Sequence, residues 1–188
     1  MNKHIQNRTG FSQNGTTLVE LLVATAIFSM ATLIIIQTFA SSLKIERSFL
    51  AKSQAMDESS YLMEHVSREI RMAKRDDTSI CQNMYGYGGI NFGRPDGPSS
   101  IGFKSYSGKC VKIYLNGTTL YESMDGIANP LTSPRIKVLA FNVADIGWDK
   151  DDNLQPRVTL YLKMQYGIQS PQTFEIQTSI SQRDPDVH

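Results

Sequence analysis

A carboxylate sits inside a membrane-length apolar run, and this pairing constrains the chain more than any other feature. Glu20 lies five residues after Gly15, and the run extends from Thr16 to about Ala40. Its other polar members include only Thr25, Ser29, Thr32, Gln37 and Thr38 within the apolar body, and no Pro or Gly breaks it. About 20 such residues, at roughly 1.5 Å rise each, cross the hydrocarbon core of a bilayer. An ionised side chain there is expensive, so something must make it worth keeping. The preceding stretch, Met1 to Gly15, is short and polar, with Lys3 and Arg8 and no acid. It reads as a leader.

The helix is expected to continue. From Ser41 to about Asp76 there is again no Pro or Gly. Leu43, Phe49, Leu50, Met56, Met63, Val66, Ile70 and Ala73 recur mainly at helical spacing, and charged residues fill much of the remainder. That is an amphipathic stripe. Glu64 and Arg68 form an i,i+4 pair in the favourable order. The composition changes at Asp77, where a cluster of glycines and prolines from Gly86 to Pro98 predicts loop. Strand patterns follow at Ser100–Tyr106, Val111–Leu115, Thr118–Glu122, Arg135–Ile146, Arg157–Tyr166 and Phe174–Ile180. Asn116-Gly117 marks a hairpin between the second and third of these. The organisation predicted is a leader over 1–15, a membrane-length helix over 16–40, an amphipathic continuation over 41–76 and a β-rich head over 77–188. The fold class predicted is α+β, with the stripe of one long helix packed on an antiparallel sheet.

Composition excludes more than it assigns. The 188 residues carry a formal net charge of +1, from 19 basic and 18 acidic residues. Without Lys3 and Arg8 the balance falls to about −1, which gives no reason to expect nucleic acid as a partner. Cys81 and Cys110 can form a disulfide if the head lies outside the cytoplasm; two unpaired thiols are the other reading. Closing a loop of about 30 residues would stabilise by roughly 3–4 kcal/mol. Asp149, Asp151 and Asn153, with Asp145 upstream, match the first ligand positions of a calcium loop. Leu154 stands where that loop needs glycine and Leu160 where it needs glutamate, so a solvated hairpin loop is the preferred reading. Tyr85, Tyr87, Phe92 and Phe103 are read as cover for a small core, with glycan or partner contact as the alternative. Trp148 is read as a core-edge residue. His65 lies between Glu64 and Glu69 with no nucleophile in prospect, and no phosphate loop or nucleophile elbow is present. No enzyme and no cofactor are expected.

The segment from Gly15 through Thr16-Thr-Leu-Val-Glu20 into Leu-Leu-Val-Ala resembles the signal of type IV pilins and type II secretion pseudopilins. The resemblance implies cutting by a prepilin peptidase after Gly15, on the cytoplasmic side, and methylation of the new amine at Thr16. Thr16 stands where the family most often has phenylalanine. It also implies that Glu20, the fifth mature residue, meets the N-terminal amine of a neighbouring subunit as an assembly register. The alternative for Glu20 is a shallow carboxylate that snorkels to water. A cut at Gly10-Phe11 would place Glu20 tenth and put Gln13, Asn14 and Gly15 at the head of the helix, so Gly15 is preferred. The segment Tyr61-Leu-Met-Glu-His-Val and the ending Phe174-Glu-Ile-Gln-Thr are similar to J-type or W-type minor subunits.

Positive charge lies on both sides of the span (Lys3 and Arg8 before it, Lys44, Arg47 and Lys52 after), so a cytoplasmic N-terminus rests on the resemblance. The partners implied are the peptidase, other pilin or pseudopilin subunits, an inner-membrane assembly platform, and membrane lipid before assembly. The function expected is that of a minor pilus subunit. A type II secretion pseudopilin and a membrane-anchored binding module are the alternatives.

Overall fold

With no Pro or Gly between Thr16 and Asp76, one helix, α1, runs over Leu18–Arg71. The computed structural model describes residues 15–86, 91–147, 154–167 and 171–183. The chain divides into two units, Met1–Arg47 and Ser48–His188. The described part of the first is a short lead-in, residues 15–17, and the first half of α1. The described residues of the second hold the rest of α1, a short helix α2 (Ile80–Tyr85) and seven strands: β1 Ser100–Lys104, β2 Cys110–Asn116, β3 Thr119–Met124, β4 Ile127–Pro130, β5 Ile136–Ile146, β6 Arg157–Tyr166 and β7 Gln172–Ser181. Two antiparallel sheets result, ordered β1-β2-β3-β4 and β5-β6-β7. The class is α+β.

One apolar core joins the second half of α1 to both sheets. The helix buries Ala55, Ser59, Leu62, Val66 and Ile70, spaced by three and four. This face differs from the expected stripe: Phe49, Leu50 and Met56 remain 68, 54 and 49 % exposed. Small residues at Ala55 and Ser59 occupy the contact instead, and the Ser59 hydroxyl donates to its own helix at Met56 O, 2.8 Å. Opposite lie Ile101, Phe103, Val111 and Ile113 from the first sheet, and Val158, Leu160, Leu162, Met164 and Ile180 from the second, all buried. In β5 the register slips between Val138 and Ala140, leaving Leu139 44 % exposed. This bulge lets Ile136 and Val138, then Phe141 and Val143, all face the core.

The helix ends earlier than Asp76, and tertiary hydrogen bonds are the reason. Ala73 N–H bonds back only three residues, to Ile70 O. Arg183 N–H takes Arg71 O at 2.9 Å, Gln182 Nε2 takes Ala73 O at 2.6 Å, and Lys74 N–H takes Lys104 O at 2.9 Å. The chain leaving β7 thus satisfies carbonyls that a longer helix would use. Elsewhere on α1, Glu58 accepts Ser133 N–H and hydroxyl at 2.6 and 2.8 Å. His65 Nε2 lies 3.1 Å from Glu122 Oε1 on β3. The expected Glu64–Arg68 pair forms at 2.7 Å but is exposed, so it stabilises little.

Helix α2 was not expected; it lies between the end of α1 and the Gly86–Pro98 stretch read as loop. The buried Asp76 carboxylate accepts N–H bonds from Ile80, Cys81 and Gln82 at 3.2, 2.8 and 3.0 Å, which supplies the missing cap. Gly86, at φ 70°, closes the other end. The Cys81–Cys110 disulfide fastens α2 to β2 with the Cα atoms 5.1 Å apart. Tyr85 donates its hydroxyl to Cys110 O at 3.1 Å. Phe92 and Phe103 are fully buried and meet edge to face at 6.4 Å, so these aromatics are core; Tyr87 lies outside the described residues. The β2–β3 hairpin is shifted by one from expectation: Asn116 pairs Thr119, so the turn is Gly117-Thr118, with only Gly117 at positive φ. A second tight hairpin, unforeseen, joins β3 to β4 through Asp125-Gly126, both at positive φ as a I′ turn requires.

Two outcomes follow for the full chain in detergent, read by urea denaturation of the β-sheet signal. Leu62→Ala should cost about 2–5 kcal/mol, whereas Met56→Ala should stay within about 0.5 kcal/mol. Equal costs would contradict the helix face described. Burial pushes the Asp76 carboxyl up. The Gln82, Thr78 and Cys81 hydrogen bonds and the Lys104 charge outweigh it and hold the carboxyl below its ordinary value. A depressed acid stabilises fully above its unfolded pKa and loses that contribution as pH falls through its folded pKa. Asp76→Ala should therefore cost about 1–3 kcal/mol at neutral pH and flatten the decline in stability below about pH 4. An unchanged decline would contradict the assignment.

Candidate functional site

The head of α1 is built from three short-range relations. Thr17 precedes the first helical residue and its carbonyl receives Leu21 N–H at 3.1 Å. Its hydroxyl oxygen accepts Glu20 N–H at 3.3 Å. Thr17-Leu-Val-Glu20 therefore has the spacing of a capping box, a signal already present in the sequence. Glu20 is the acidic residue of the first turn, where the partial positive charge of the helix end favours a carboxylate. Glu20 thus has a local role in helix initiation even in a single chain. That role is worth about 0.3–1 kcal/mol, far short of the cost of holding an unpaired charge in an apolar surround.

Gly15 lies in the non-helical lead-in, immediately before Thr16 and Thr17. A Cβ built at Gly15 meets nothing within 4 Å, and its φ is outside the left-handed region. Neither close approach nor backbone conformation requires glycine there. Its identity has no reason in the fold.

Beyond Glu20 the apolar half of α1 is bare. Leu18, Leu21, Phe28, Ile34 and Phe39 are each more than 60 % exposed. This helix is long and apolar enough to cross a membrane. Its hydroxyls are already satisfied: Thr25 bonds Leu22 O, Ser29 bonds Thr25 O, Thr32 bonds Phe28 O, Thr38 bonds Ile34 O and Ser42 bonds Thr38 O. Such back-bonding lowers the penalty of placing hydroxyls where no water can reach them. The segment can therefore be transferred into lipid or into a packed protein interior with few unmet polar groups, the Gln37 amide and the Glu20 carboxylate among them, and Glu20 is its one charge before Lys44.

The remaining expected sites separate from this one. Cys81 and Cys110 form the disulfide of the head. Asp149, Asp151 and Asn153, with Trp148, lie outside the described residues, as do Gly10 and Phe11. Asp145, upstream of that acidic cluster, is engaged elsewhere: its buried carboxylate faces Arg94 Nε at 2.9 Å. Burial raises its pKa above the ordinary range despite the Arg94 charge. Among the described residues no cluster of three or more His, Cys, Asp or Glu side chains is placed to hold a metal ion. Compared with known proteins, the chain finds no matching family model, curated relative or solved structure.

Proposed function

We propose that this chain is a minor, pilin-like subunit of a type IV pilus, freed by a prepilin peptidase after Gly15 and assembled through the first half of α1. The observation that carries the reading is the five-residue offset from Gly15 to Glu20 at the head of a bare apolar helix. Cutting after Gly15 creates an α-amine on Thr16, one helical turn before the Glu20 carboxylate. A neighbouring subunit displaced along the fibre brings its own amine to that carboxylate. Each subunit then offers one cation and one anion in an otherwise apolar core, and only the correct stagger pairs them. Breaking such a buried pair costs roughly 3–5 kcal/mol, so it selects register more than it adds stability.

Other features support the reading. A glycine that the fold does not require is a natural recognition point for a peptidase. Ile45, Phe49 and Met56, spaced four and seven apart, stay exposed and extend an apolar strip along α1 for contact with other subunits. The disulfide fits a head on the oxidising side of the membrane, with the N-terminus in the cytoplasm. Lipid covers the helix before assembly, an inner-membrane platform delivers the subunit, and fellow pilins cover it afterwards. A role in a type II secretion pseudopilus would use the same N-terminal residues; a secretin with its cargo, or a retraction motor, among the neighbouring genes separates the two.

The test is incorporation into sheared fibres. Glu20→Ala should insert in the membrane and keep a folded head, yet be depleted from fibres by about tenfold or more, given the cost of an unpaired buried amine. Glu20→Asp should retain part of the wild-type level. Normal incorporation of Glu20→Ala would remove the register role.

A further inference from the structure

Where α1 ends, three segments of the head enclose an open cavity of about 400 Å³, lined by Arg71, Met72, Ala73, Lys74, Tyr106 and Arg183. Its walls are fixed by backbone. Arg183 N–H holds Arg71 O at 2.9 Å, so the two arginines are neighbours at the base of the cavity. Lys74 N–H holds Lys104 O at 2.9 Å, which ties the lysine to the end of β1. The turn that follows is closed by Ser105 N–H to Lys109 O and carries Tyr106, 63 % exposed. Lys74 Nζ lies 4.4 Å from the Tyr106 ring centre.

Several basic groups of the head find carboxylates, namely Arg75 with Asp77, Arg94 with Asp145, Lys104 with Asp76, Lys112 with Asp96 and Lys163 with Glu175, whereas Lys109, Arg135, Lys137 and Arg157 stand singly among the described residues. Arg71, Lys74 and Arg183 have no carboxylate partner among the described residues, though they share one cavity. Arg71, in the last turn of α1, complements the helix dipole. That explanation does not reach Lys74, which follows the helix in extended backbone, or Arg183, which follows β7.

We propose that this cavity binds a phosphate or sulfate group. Two guanidinium forks and one ammonium match a doubly charged oxyanion, whose several acceptor oxygens take bidentate arginine bonds. The volume exceeds what a bare oxyanion fills and lies within the range of small-ligand pockets. The outer face of Tyr106 and the Met72 side offer an apolar wall for the carrier of an ester, such as a sugar ring. The site is independent of Glu20 and of the assembly reading.

The test titrates the full chain in non-ionic detergent with inorganic phosphate, inorganic sulfate and glucose 6-phosphate at constant ionic strength, read by calorimetry. Saturable binding is expected, with Arg71→Gln/Arg183→Gln weakening it by about tenfold or more, as loss of two charge-assisted contacts implies. The same variant should keep the wild-type unfolding midpoint, and Lys52→Gln, an exposed lysine elsewhere on α1, should bind normally. Tighter binding of glucose 6-phosphate, reduced to the phosphate level by Tyr106→Ala, assigns an ester; equal affinities assign the free ion. No saturable binding of any probe, or undiminished binding by the double variant, overturns the proposal.

Discussion

The first half of α1 exposes a long run of large apolar side chains, and these call for a cover. Its large side chains are bare, and five of its hydroxyls are satisfied by the helix's own carbonyls. Burying each such residue contributes about 1.5–3 kcal/mol, which summed over the segment makes solution an untenable resting place. Lipid and a bundle of like helices both satisfy the demand. Glu20 distinguishes them: lipid tolerates it only near the surface, whereas a bundle that supplies an amine can bury it. A helix whose cover can be exchanged in this way suits a subunit that leaves the membrane for a fibre.

The head solves a different problem, which is how to terminate a helix with no Gly or Pro to stop it. The answer comes from the far end of the sequence. Gln182 and Arg183 leave β7 and take the carbonyls of Ala73 and Arg71, so the last strand closes on the first helix. Asp76 then starts α2 in a new direction and the disulfide fastens α2 to β2. The Arg183–Arg71 and Lys74–Lys104 backbone bonds also fix the main chain around the basic cavity.

Much of this was legible beforehand, and the exceptions have physical causes. The run of apolar residues, the alternation of β6 and the absence of breakers read directly as a helix and strands, because each depends on local period alone. The helix face did not read correctly. Large residues at Phe49 and Met56 outweighed Ala55 and Ser59 by hydrophobicity, but small side chains admit the sheets more closely. Helix α2 was hidden because its cap, Asp76, acts from four residues before Ile80 and lies in a stretch rich in loop formers. Strand β4 is exposed along its whole length and shows no alternation, although Asp125-Gly126 announced its hairpin. At the functional end, the Gly15–Glu20 offset was visible as sequence. That Gly15 is free of any steric need required the structure. The basic cavity was invisible, since Arg71, Lys74 and Arg183 come together only when β7 returns to α1.

The central claim is that an amine is created five residues before Glu20, counting both ends. Mass spectrometry of the N-terminal peptide of the membrane-inserted or fibre-borne protein tests it most directly. A chain that starts at Thr16 is the predicted result; a chain that starts at Phe11, or one that retains Met1, would contradict the account.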